Sequence, residues 1–239
     1  MAAKIITIAQ QKGGAGKTTV AAQLAVAFAA TGKRVAIVDI DPQASLADWH
    51  RLRNGASVRY PLDMSAVAGY RVSTELTRVK SGHDIVIVDS PPHAETEAKL
   101  AVRAADLVLV PVQLSPMDIW ATGPTVQLAR TAGVPVLIVL NRVPPRGNIV
   151  QIMRAQLAEQ DFPVARSTIG NRIAFASSML EGLTVLESAP RSAAAAEIDA
   201  LRDEITAILE RLCKGAAGRP HCTASIARHR EWLRAPLLG

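Results

Sequence analysis

Residues 11–19 read Gln11-Lys12-Gly13-Gly14-Ala15-Gly16-Lys17-Thr18-Thr19, between the apolar run Ile5–Ala9 and the helical pattern Lys17–Ala30. A glycine-rich turn that leaves a buried strand and opens a helix is the setting of a phosphate-binding loop. Gly13, Gly14 and Gly16 let the backbone approach an oxyanion and aim successive N–H groups at it. The helix that starts near Lys17 adds its positive N-terminal end. In such a loop Gly13, Gly14, Ala15, Gly16 and Thr19 line the phosphates, Lys17 reaches the β- and γ-phosphates, and the Thr18 hydroxyl completes a Mg²⁺ shell. The general pattern places a glycine five residues before Gly16, where this chain has Gln11. It has instead a second lysine, Lys12, at the loop's start. A lysine there folds back poorly on its own phosphates and is placed to meet a nucleotide held by another subunit.

Further out, the apolar runs Val35–Asp39, Ile85–Asp89, Leu107–Val112 and Val136–Leu140 are short, β-branched and bounded by polar or turn residues, as buried parallel strands are. Helical patterns alternate with them at Ser45–Arg53, Ser73–Lys80, Glu95–Ala104 and Ile119–Thr131, followed by Ile149–Glu159, Asn171–Glu181 and Ala193–Leu212. Gly32 and Gly133 stand where helix ends need them. The alternation predicts an α/β fold with a doubly wound, mostly parallel sheet of the P-loop type. Residues 1–213 are expected to form the ATPase domain, and residues 214–239 a basic tail, flexible or a short helix.

Composition narrows the classes. The chain has 239 residues, 49% hydrophobic, 20% charged and only 3% aromatic, so Ala, Val, Ile and Leu must build the core. No apolar run approaches the roughly 20 residues of a membrane span. Two cysteines, Cys213 and Cys222, offer no disulfide framework, which points to the cytoplasm. The net charge of +6 is uneven: residues 214–239 carry five Lys/Arg against Glu231, which is +4, leaving +2 for the other 213 residues. Cys213, His221, Cys222 and His229 lack the paired spacing of a zinc site.

Three aspartates end predicted strands, where open parallel sheets hold their ligands. Asp39 and Asp41 flank Ile40 and point the same way if the strand continues. Asp89 closes the run Ile85-Val-Ile-Val, the form that binds Mg²⁺ through water. The bland reading of one strand-end aspartate is a helix N-cap. Three in register with a phosphate loop argue for the nucleotide site. Trp49, after Asp41, reads as a packing anchor.

The run Lys12-Gly-Gly-x-Gly-Lys-Thr-Thr19 resembles the signature of the deviant Walker ATPases, the ParA/MinD family, over about residues 4–212. Further matches are Asp39-Ile-Asp41-Pro42-Gln43, Ser45-Leu46-x-x-Trp49, Ser115-Pro116-x-Asp118 and Ser178-Met179-Leu180-x-Gly182-Leu183. The likeness favours small ParA-type members, the ParF-like and McdA-like proteins. It implies ATP and Mg²⁺ as cofactors, and a nucleotide-sandwich homodimer in which Lys12 reaches the partner's phosphates. It also implies Asp41 orienting the attacking water, Asp39 supporting the metal shell, and Asn141 contacting adenine. Basic residues of the C-terminal half, Arg172 foremost, would bind nonspecific DNA, and a ParB-like or adaptor protein would stimulate hydrolysis. The expected setting is cytoplasmic and nucleoid-associated. The alternatives are a MinD-like membrane switch using the tail, which the body of the chain does not favour, and an ATP-dependent biosynthetic ligase of the same fold.

Overall fold

The computed structural model describes residues 3–69, 71–92 and 96–217. Among these, seven strands form one sheet in the order β3-β2-β4-β1-β5-β6-β7, with every pairing parallel. The strands are β1 (Lys4–Ile8), β2 (Val35–Asp39), β3 (Asp63–Ala66), β4 (Ile85–Asp89), β5 (Leu107–Val112), β6 (Val136–Val143) and β7 (Val164–Gly170). The helices are α1 (Lys17–Ala29), α2 (Ser45–Asn54), α3 (Arg71–Lys80), α4 (Thr96–Ala104), α5 (Pro116–Thr131), α6 (Ile149–Glu159), α7 (Ile173–Leu180), α8 (Val185–Ser188) and α9 (Ala193–Ala217). This is the doubly wound architecture that the alternating pattern predicts.

Alternation within the strands divides the core. Ile6, Ile8, Ile37, Ile87 and Leu109 face one layer, in which α1, α2 and α7–α9 pack. Ile5, Val38, Val86 and Val88 face α3 and α4, and Val108, Val110, Ile138 and Leu140 face α5 and α6. Helix α1 is buried nearly all round, and Ala21, Ala22, Ala25 and Ala27 let it fit between the sheet and α9. Its neighbour Trp49 is buried in the same layer, the packing role expected of it.

Two strands depart from the expected set. β3 is Asp-Met-Ser-Ala, too polar and short to stand out, and it forms an edge by pairing with β2. β7 is the opposite edge, where Glu204 of α9 accepts the N–H groups of Arg166 and Ser167 at 2.9 and 3.0 Å. Helix α5 begins at Pro116, three residues before its predicted start, because Ser115 caps it through the Asp118 N–H and Pro116 suits the first helical turn. Helix α9 runs on to Ala217, past residue 213, so residues 214–217 continue it. Residues 218–239, with His221, Cys222 and His229, lie outside the described residues, as does His93.

The turn between α7 and α8 meets α2 backbone to backbone. Gly182 has φ +69°, and a Cβ there would lie 2.5 Å from the Arg53 backbone nitrogen. Gly182→Ala is therefore expected to cost more than about 3 kcal/mol in a urea unfolding titration, because strained φ and a clash with backbone add. A cost below about 1 kcal/mol would show that the turn moves freely off α2.

Candidate active site

The parallel register brings the site together. Ile8 pairs with Asp89 across β1 and β4, and Asp39 pairs with Asp89 across β2 and β4. Asp89 therefore ends the strand beside the one that feeds the glycine loop, and Asp39 ends the next strand out. The Thr18 hydroxyl donates to Asp89 Oδ2 at 2.6 Å, while the buried Asp89 Oδ1 has no hydrogen-bond partner. A buried carboxylate oxygen facing no donor is what a hydrated Mg²⁺ would satisfy, so Thr18 and Asp89 fit the metal.

Side chains from other elements shape the loop. Gln113 Nε2 donates to the Gly14 carbonyl at 2.6 Å, and Asn141 Nδ2 donates to the Ala15 carbonyl at 2.8 Å. In a trans peptide the N–H points opposite to the carbonyl. Tethering these two oxygens therefore turns the N–H groups of Ala15 and Gly16 to the other side, toward a ligand. Gly16 is left-handed, φ +91°, and a Cβ would come within 2.5 Å of Asn141 Nδ2, so glycine is required there. Helix α1 starts without a side-chain cap or an acid in its first turn, leaving its positive end for an anion. Gln10 anchors the loop's entry, donating to Thr122 Oγ1 and accepting the Gln11 N–H.

Lys17 is buried beside Asp89 and Asp41; burial lowers its pKa, and the two acids oppose that shift. Burial also pushes Asp89 up to about 7, with Asp39 and Asp41 repelling further charge and Thr18 and Lys17 pulling the other way. Asp39 is raised by burial against the backbone N–H groups that it accepts. Its Oδ1 takes the Asp41 N–H and its Oδ2 the Ala47 N–H, both at 3.0 Å. Asp39 thus fastens the Asp41 loop and the first turn of α2. Asp41 lies in this loop with Oδ1 accepting the Gln43 N–H.

Lys12 does not project outward in this conformation. Its Nζ lies 2.6 Å from Asp118 Oδ2, and the Asp118 side chain is only 1% exposed. Ser115 also donates to that carboxylate oxygen, while Asp118 Oδ1 is buried without a partner. An open cavity of about 530 Å³ lies against Lys12, Asp118 and Arg142. Asn141, expected at the base, is 5% exposed and supports the loop, its Oδ1 accepting the Arg142 N–H; one Nδ2 hydrogen remains for a ligand. Arg172 stands just before α7, without a side-chain bond to the helix end, and is paired with Glu197 at 2.6 Å, so its charge is partly met. Sequence reasoning missed Asp118, Gln113 and Gln10. The run Ser115-Pro116-x-Asp118 is the signal that could have pointed to the first.

The raised Asp89 pKa has a measurable consequence. The folded state holds a proton up to about pH 7 that the unfolded chain loses near pH 3.8. Folded protein therefore binds more protons between these values, and stability from this group falls as pH rises through that window. Asp89→Asn is expected to stabilise the nucleotide-free protein by about 2–4 kcal/mol at pH 8 and by little at pH 4. A pH-independent difference in thermal unfolding would contradict this.

Fold and site together define a P-loop nucleotide switch of the deviant Walker type. Residues 6–185 match the model of the CobQ/CobB/MinD/ParA nucleotide-binding domain, and the chain belongs to that family of ATPases. It is 35% identical over 200 residues to the maintenance of carboxysome distribution protein A of Gloeobacter kilaueensis, covering 82% of this chain and 90% of that protein. It is 28% identical to the chromosome-partitioning ATPase Soj of Thermus thermophilus, over 84% of this chain and 95% of Soj. The septum site-determining protein MinD of Pyrococcus horikoshii, solved with Mg-ADP, superposes with a TM-score of 0.69 at 19% identity, covering 88% of this chain and 98% of that one. Among the described residues no helix is long and apolar enough to cross a membrane.

Proposed function

We propose that the protein is an ATP-dependent dimerising switch that binds nonspecific DNA and hydrolyses ATP to segregate or position a plasmid, a chromosome locus or a protein cargo. The observation that carries this reading is the arrangement around the loop. Lys17, Thr18 and Asp89 converge to serve one triphosphate, while Lys12 stands at the loop's rim on a separate acid, Asp118. A lysine that its own site does not use is free to serve another's. The positioning and partition relatives support the same reading.

In the proposed cycle ATP binds on the loop, with Ala15 and Gly16 N–H groups and Lys17 on its phosphates. Thr18 and Asp89 would hold Mg²⁺, whose charge would offset that of the phosphates. Asp41 would orient the attacking water, with Asp39 holding its loop through the Asp41 and Ala47 N–H groups. Asn141 supports the loop and offers its remaining hydrogen to the base. Closure of the homodimer moves Lys12 from Asp118 to the partner's phosphates, and the dimer gathers Arg172 and its neighbours into a surface for duplex DNA. An adaptor of ParB-like role then speeds hydrolysis, and the protein leaves the nucleoid.

The test is a filter-binding titration of a random-sequence duplex with ATP, ADP or no nucleotide. ATP alone should give binding, and its affinity should fall steeply with salt, since phosphate contacts release counterions. Equal affinity in all three states would sink the reading.

A further inference from the structure

The layer between α2 and the α7–α8 turn holds an ion pair that the nucleotide site does not use. Arg53, 1% exposed, donates to Glu187 Oε1 and Oε2 at 2.8 Å each, to the Gly182 carbonyl at 3.2 Å and to the Tyr60 carbonyl. Its guanidinium also lies 5.4 Å from the Trp49 ring centre. Glu187 in turn accepts the Thr184 N–H and hydroxyl, closing the capping box of α8. Gln23 of α1 adds a second tie, accepting the Val185 N–H at 3.0 Å and donating to Ser178 Oγ. Buried ion pairs gain little stability over well-packed apolar residues of similar volume, so stability alone does not account for this one. What the pair adds is direction: a bidentate fork on three segments admits one seating of α2 on the turn.

The other end of α2 lies at the Asp41 loop of the candidate nucleotide site. Asp39 holds the Ala47 N–H, and the Asp41 carbonyl accepts the Ala44 N–H. Ala44, the residue before α2, is left-handed with φ +52°, a costly conformation for alanine. Helix α2 is therefore ten residues long, with a strained joint at the Asp41 loop and a directional clamp at the far end. Beyond the clamp, α7 exposes Ile173 and Leu180, 84% and 81% accessible, next to Arg172.

We propose that Arg53 and Glu187 are positioning residues that make α2 a rigid strut, passing movement of the Asp41 loop on nucleotide exchange to the α7–α8 surface. The inference rests on the nucleotide-switch reading but not on DNA as the partner. A ligand at the loop shifts the distant surface only if one element joins the two, and the single seating of α2 on the turn makes them move together.

Hydrogen exchange of the full chain with AMPPNP and with ADP tests it, on wild type, Arg53→Met/Glu187→Leu and Arg53→Lys. In wild type, AMPPNP should alter exchange at residues 41–48 and, by about tenfold, at residues 173–188. The apolar double variant should keep the first response and lose the second. Arg53→Lys, which keeps the charge but not the fork, should reduce the second response and serves if the double variant does not fold. An unchanged response at 173–188 in the folded variants, or none in wild type, overturns the strut. Duplex DNA binding is measured alongside. A wild-type protein that shows the exchange response but binds no DNA leaves the strut standing and removes the DNA reading.

Discussion

Lys17→Ala abolishes nucleotide binding, weakening the Kd for ATP by at least about 10²-fold, the scale of losing a desolvated charge partner. Lys17 is buried beside Asp89 and Asp41, and its burial already works against its charge. Without it a triphosphate would meet those two acids with no protein cation at the centre of the loop. Lys12 cannot substitute, since it sits on Asp118. Lys17→Arg should fail nearly as badly, because a planar fork does not fill the place of a compact ammonium. Fluorescent-nucleotide titration checks both, with circular dichroism to confirm folding. A Kd within about threefold of wild type would mean that the loop's backbone alone holds the phosphates.

Asp41→Ala separates binding from turnover. Hydrolysis should fall by about 10²–10³-fold, the worth of a positioned catalytic group, with ATP affinity nearly unchanged. The loop that carries Asp41 is fastened by Asp39 through backbone N–H groups, so removing the Asp41 side chain leaves its frame in place. Its own bond to the Gln43 N–H is a local turn contact, cheap to lose. Asp39→Ala makes the contrast: it frees the loop and the first turn of α2 together and should lower both stability and turnover. Single-turnover hydrolysis and equilibrium binding distinguish the two. Near-normal hydrolysis in Asp41→Ala would assign the water to another group.

The sheet was legible where strands are buried on both faces. Ile85–Asp89 and Val35–Asp39 read as unbroken apolar runs because nothing on either side tolerates a polar residue. β3 and β7 are edges. Half of each faces solvent or an acid of α9, so Asp63-Met-Ser-Ala66 and Val164–Gly170 look like loop. The phosphate loop was legible because its glycines and lysine act through their own backbone and side chain. Its tethers were not: Gln113 lies 99 positions from Gly14 with nothing local to mark it, and Asn141, expected at the base, lies 126 from the Ala15 carbonyl that it holds. Lys12 marks the same limit. Its unsuitability for its own phosphates follows from its position, but its pairing with Asp118 needs α5 folded beside the loop.

The uneven distribution of charge carries little weight. The excess of residues 214–239 lies almost wholly outside the described residues, and the core's candidate Arg172 is already engaged by Glu197. In the proposed cycle, binding to a polyanion depends on what ATP assembles, and the central claim is this order of events. The most direct test is sedimentation of a labelled random-sequence duplex at low salt with Asp41→Ala protein, in ATP and in ADP. The account predicts a protein dimer that carries the DNA in ATP and free DNA in ADP. A dimer that forms in ATP while the DNA sediments alone would contradict it.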